Sequence, residues 1–142
     1  MAQNRRSILA ALATISHGVT AVNTVRRVHA PIDITQWAEA ELPLVEIEEP
    51  AESADTELTN MRQMVFLDIK LTVWFVLWGE SPTSTSEKLE TDIRNAIGNN
   101  FTLNCTAVCA WVTNVAKVDG EMPLYHFEIS VRLKYYLELE NV

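Results

Sequence analysis

The chain has 142 residues, of which 48% are hydrophobic and 21% charged, and its formal net charge is −8. That length suits one domain with a proper core, and that balance excludes global disorder, a collagen-like chain and a coiled coil. A surface of that sign repels phosphate, which disfavours generic binding to nucleic acid or to an anionic membrane.

The charge is unevenly spread. Arg5, Arg6, Arg26 and Arg27 give residues 1–29 a charge of +4 with no acid, while residues 30–60 carry nine acids and no base. Opposite patches on one small protein suit head-to-tail self-association or docking to charged partners. A solvated acidic loop that aids solubility accounts for the same pattern.

In chain order, Ile8, Leu12 and Ile15 repeat at i, i+4 and i+7 and predict an amphipathic helix over about 4–16, closed by Gly18. The apolar run behind Arg5 and Arg6 is too short and too rich in alanine for a signal peptide. Valines at 19, 22, 25 and 28 suggest a strand over 19–28, and Leu44–Ile47, between Pro43 and Pro50, a second. Residues 48–62 are acidic, polar and poor in large apolar groups, and they read as a long loop, a candidate docking arm.

The alternation of Val65, Leu67, Ile69, Leu71, Val73, Phe75 and Leu77 predicts a strand over 64–79. Its other face is polar in the middle and apolar toward both ends, so Trp74 and Trp78 sit there as candidate contacts for another element or another subunit. The run 71–78 is far shorter than the roughly 20 residues that span a bilayer. Ser84 with Glu87 forms a capping box for a helix whose apolar stripe is Leu89, Ile93 and Ile97 and whose end is Gly98. Residues 105–118 are apolar on both faces and suggest a central strand. Asp119 and Gly120 make a turn, and 124–139 alternates as a half-buried strand that completes a long hairpin. The fold class is therefore α+β, a mostly antiparallel β-sheet with two main helices packed on one face.

The chemistry-bearing residues are sparse. Cys105 and Cys109 lie on a predicted strand, which sets their Cα atoms about 13 Å apart. A disulfide needs about 4.4–6.8 Å, so free thiols in a reducing compartment are expected. His126 and Glu128 share the polar face of the last strand, an arrangement more often solvated than catalytic. No phosphate-binding glycine loop, nucleophile elbow or zinc-binding His-Glu-x-x-His is present in the sequence. Glu46, Glu48 and Glu49 lack calcium-loop spacing. No catalytic residue, cofactor or metal is expected, and the work of such a chain is binding.

The order and texture of the segments resemble a known family. An N-terminal helix leads to the valine-rich stretch VNTVRRV at 22–28, then LPLVEI at 42–47 and an acidic segment. The long strand from Phe66 to Trp78 precedes the helix from Glu87 to Ile97, followed by VTNV at 112–115 and YHFEISV at 125–131. This is similar to the tail terminator proteins of long-tailed bacteriophages, also called minor tail or tail-completion proteins, over nearly the whole chain. The resemblance implies a virion protein of the tail or neck, assembled in the host bacterial cytoplasm, that forms a ring, usually a hexamer. Such a ring caps the tail tube protein and presents a joining surface to the head-tail connector or stopper protein. DNA then only passes through the lumen without specific binding, and no membrane is involved.

For interfaces, the sequence nominates Arg26, Arg27, Glu48, Glu49, Glu52, Trp74 and Trp78. Two other readings share the same fold class: a neighbouring head-tail connector or stopper component, and a small α+β ligand-binding regulatory module.

Overall fold

The computed structural model describes residues 5–28, 42–48, 51–59, 62–79, 81–103 and 107–138. Its elements in chain order are α1 (Arg5–His17), β1 (Thr24–Val28), β2 (Leu44–Glu48), β3 (Ala51–Thr59), β4 (Arg62–Val76), α2 (Pro82–Asn99), β5 (Cys109–Val115), β6 (Asp119–Glu121) and β7 (Leu124–Glu138).

Two 15-residue strands, β4 and β7, make the middle of the sheet. They run antiparallel in unbroken register from Arg62 opposite Glu138 to Val76 opposite Leu124. The path across the sheet is β1-β2-β4-β7-β5, with β3 added to β4 and β6 added to β7. Only the β1–β2 pair is parallel among the described ladders.

Alternation along the two long strands sends one set of side chains toward the helices. Val65, Leu67, Ile69, Leu71, Val73 and Phe75 of β4 join Phe127, Ile129, Val131, Leu133 and Tyr135 of β7, all buried. The predicted stripes close over them: Ile8, Leu12 and Ile15 from α1, and Leu89, Ile93 and Ile97 from α2. Each such side chain contributes about 1.5–3 kcal/mol relative to exposure. The fold is α+β, with both helices on one face of a mostly antiparallel sheet, as expected.

Several local expectations are corrected. The acidic segment expected as a loop over 48–62 contains β3, which pairs with β4 from Ala51 opposite Asp68 to Thr59 opposite Arg62. It continues the line of β2 along the same flank of β4: Ile47 faces Leu71 and Ala51 faces Asp68, a one-residue slip, and a further irregularity falls between Ala54 and Leu58. The main chain of β4 supplies a template that a polar, non-alternating segment can pair with, and strand formation here follows the ladder and not the side-chain pattern.

β1 covers only the last part of the stretch 19–28. The preceding residues make turns off α1, where Gly18 donates its N–H to Thr14 O at 3.0 Å and Val22 donates to Val19 O at 3.0 Å. α2 begins at Pro82, with Ser81 as a cap that makes no side-chain hydrogen bond, so the Ser84–Glu87 box is not used. Proline's preset φ and missing N–H suit the first helical turn, where that donor would be orphaned anyway. Gly98 lies inside α2, whose cap is Asn100, with its N–H on Ile97 O and its Nδ2 3.1 Å from Ala96 O.

Among the described residues β5 is an edge strand and not a central one: Ala110, Val112 and Val115 take the helix-bearing side, the last two beside a cleft against α2, while Trp111 is level with Arg132 on the opposite face. The turn expected at Asp119 and Gly120 falls at 122–123, because Asp119–Glu121 pair back onto β7 as β6. Cys109 is a free, half-buried thiol, and Cys105 lies outside the described residues.

Candidate functional site

The side of the sheet away from the helices carries most of the residues that could meet a partner. Direct pairing across β4 and β7 sets them in rungs: Met64 with Tyr136, Phe66 with Lys134, Asp68 with Arg132, Lys70 with Ser130, Thr72 with Glu128, and Trp74 with His126. Register adds Glu46 of β2 beside Thr72, and Arg26 of β1 beside Glu46.

Charges alternate along this face. Asp68 accepts two bonds from Arg132, 2.8 Å to Nε and 3.1 Å to Nη2. The Asp68 hydrogen bond, and after it the carboxylate charge, raises the Arg132 pKa. One rung on, the Lys70 ammonium stands 3.8 Å from both Glu48 and Glu128. All of these groups are at least partly exposed, and ion pairs of that kind orient a surface more than they stabilise a fold. The arrangement is a charge-balanced lattice, suited to registering a facing protein surface by complementarity.

The lower end is drier. The Trp74 and His126 rings lie 4.5 Å apart between centroids, tilted by 36°. Beside them on β2, Leu44 is fully buried and Glu46 is 2% exposed. Among the described residues, the buried Trp74 Nε1 proton has no hydrogen-bond acceptor.

The sequence-nominated residues do not form one site. Arg26, Glu48 and Trp74 share the helix-free face. Arg27 is level with Ile47 on the opposite, helix-bearing side. Trp78 falls beyond the end of β4, off the strand on which it was expected, and is 64% exposed. Glu52 sits on β3 opposite Leu67, and Glu49 lies outside the described residues.

Sequence reasoning missed the Asp68–Arg132 pair, the Lys70 bridge and buried Glu46. The two central strands are separated in the chain by α2 and β5, so no turn announces their register. Alternation alone shows which face each residue takes and leaves its neighbour across the ladder open.

Clefts among the described residues open on the helix-bearing side. One of about 600 Å³ lies between α2 and β5, one of about 480 Å³ between the C-terminal ends of α1 and α2, and one of about 350 Å³ between α1 and β1. Among the described residues, no group of three or more His, Cys, Asp or Glu could hold a metal ion, and no helix is long and apolar enough to cross a membrane.

No protein-family model matches the chain, and no curated protein does. Among solved structures it is similar to a chain of the virion of a native gene transfer agent particle, with 9% identity, 92% of each chain covered and a TM-score of 0.46. A likeness at that distance carries no assignment of function.

Proposed function

We propose that this chain is a structural protein of a phage-type virion, a tail terminator that joins with copies of itself into a ring. The ring caps the tail tube and offers a joining surface to the head-side connector, with DNA passing through its lumen. In this reading the protein works through the shape and polarity of its surfaces and transforms no molecule.

The observation that carries the reading is the disposition of the sheet. Both helices cover one face, the other face bears a lattice of alternating charge, and the two terminal strands, β1 and β5, each pair on one side only among the described residues. The segment order that resembles the terminator family supports the same assignment. The polarity of the chain, basic at the start and acidic through residues 30–60, suits a contact between unlike patches.

Mass photometry and negative-stain microscopy of the purified chain test it, alone and mixed with tail tubes. The expected result is a closed ring, free in solution or seated on tube ends. A chain that stays monomeric at high concentration and leaves tube ends bare overturns the reading.

A further inference from the structure

The two ends of the sheet path sit at the same height. β1 is level with β2, whose Leu44–Ile47 face Trp74 to Leu71 of β4, and these stand opposite His126 to Ile129 of β7. On the far flank of β7, Ile129 pairs with Val115, and Ala116 donates its N–H to Glu128 O at 2.8 Å. Residues 115–118 are therefore level with β1 across the sheet. Directions also match: β1 runs with β2, every later step of the path reverses, and β1 and β5 end up antiparallel.

Bonding direction alternates along an antiparallel strand, so the Ala116 bond to β7 turns the N–H groups of Val115 and Lys117 outward. They open beside the cleft of about 600 Å³, which has Val112, Val115 and Phe127 at its base and Glu87 and Glu90 on its α2 wall. Arg94 is tied to Glu90 at 3.0 Å, which leaves Glu87 as the carboxylate open to an incoming cation. At the other edge, Arg27 of β1 and His17 of α1 line the cleft of about 350 Å³. Arg27 and Glu87 are both exposed, and neither has an ion-pair partner among the described residues.

Resting on the reading above, we propose that the contact between copies continues the sheet: β1 of one copy adds antiparallel to residues 113–118 of the next, and its Arg27 enters the α2–β5 cleft against Glu87. Main-chain pairing at an open edge provides the affinity, and the charges select the partner. The two patches differ and lie on opposite edges, so the contact repeats head to tail and closes when the rotation fits. Lys117, which also lines the cleft, limits how much positive charge that wall accepts.

Sedimentation velocity on the intact chain and four variants tests the contact. Arg27→Glu and Glu87→Arg each weaken self-association about fivefold per contact, the upper range for an exposed ion pair, and the double reversal restores it. Val115→Pro deletes an outward N–H while sparing the β5–β7 bonds, and it is expected to abolish assembly with an unchanged circular dichroism spectrum. Wild-type rings whose affinity none of the variants moves overturn this contact and leave the ring itself standing, with the cleft open to a different occupant. A wild type that stays monomeric, with bare tube ends, ends both proposals.

Discussion

Asp68 and Arg132 stand directly opposite each other on the two central strands, joined by paired hydrogen bonds of 2.8 and 3.1 Å. The guanidinium also lies 5.7 Å from the centroid of the Phe66 ring, one rung away. Asp68 raises the pKa of Arg132, so the sign of the linkage is definite. A raised folded-state value contributes stability that is full below the unfolded value and is lost only as pH rises through the folded one. Both values lie far above neutrality, so with its carboxylate partner ionised the contribution of this arginine does not change from about pH 6 to 10. The pair is half exposed, so salt screens it. Asp68→Asn is expected to lower the urea midpoint slightly at low ionic strength and not at all in about 1 M NaCl. A loss that survives high salt shows that the pair holds the strands together by more than screened attraction.

Two glycines are expected to respond in opposite directions. Gly120 has φ +118°, and a Cβ there would meet the Leu124 carbonyl oxygen at 2.5 Å, a backbone atom that cannot step aside. Gly120→Ala is expected to cost about 1–3 kcal/mol. Gly98 lies within α2 with nothing inside 4 Å of the added atom. Gly98→Ala is expected to stabilise by about 0.5–1 kcal/mol, since alanine loses less backbone entropy in a helix. Thermal denaturation of the two variants beside the wild type reads both, and shifts of the same sign contradict this account.

Phe75 is the aromatic centre of the lower core, 1% exposed, with Tyr125 at 5.8 Å and Phe127 at 6.3 Å between ring centroids. Truncation there removes transfer free energy and leaves a hole that two rings cannot both collapse into. Phe75→Ala is expected to cost about 3–5 kcal/mol in chemical denaturation. A cost below about 1 kcal/mol would mean that this part of the core repacks freely.

The helices and the two long strands were legible because their apolar residues repeat at the period of the element that buries them. Leu89, Ile93 and Ile97 mark α2, and the odd-numbered series from Val65 to Phe75 marks β4, without reference to any neighbour. β3 was not legible, since Glu52, Asp55 and Glu57 carry no such period and its pairing is a property of β4. The edge position of β5 was hidden for a related reason: Val112 and Val115 are apolar because α2 and a cleft lie beside them, and that looks in sequence like a strand buried on both faces. For the candidate surfaces, sequence identified individual charged and aromatic residues. On β1, whose valines are spaced by three and do not alternate, the sorting of adjacent residues onto opposite faces required the register.

Arg26 and Arg27 show what that sorting does. They are neighbours in sequence and both exposed, yet Arg26 is level with Glu46 and Arg27 with Ile47. Glu46 is 2% exposed and Arg26 is level with it on the adjacent strand, roughly 4.8 Å away backbone to backbone, a position where a cation lowers the cost of a buried carboxylate. Arg26→Glu would set two carboxylates side by side at that position and is expected to lower the unfolding free energy by about 1–3 kcal/mol. Arg27→Glu has no such neighbour across the ladder and is expected to stay within about 0.5 kcal/mol of wild type while weakening self-association. Urea denaturation of the separate single variants measures the first effect, and sedimentation velocity the second. Equal loss of stability in both variants would contradict the facing assigned to these two residues.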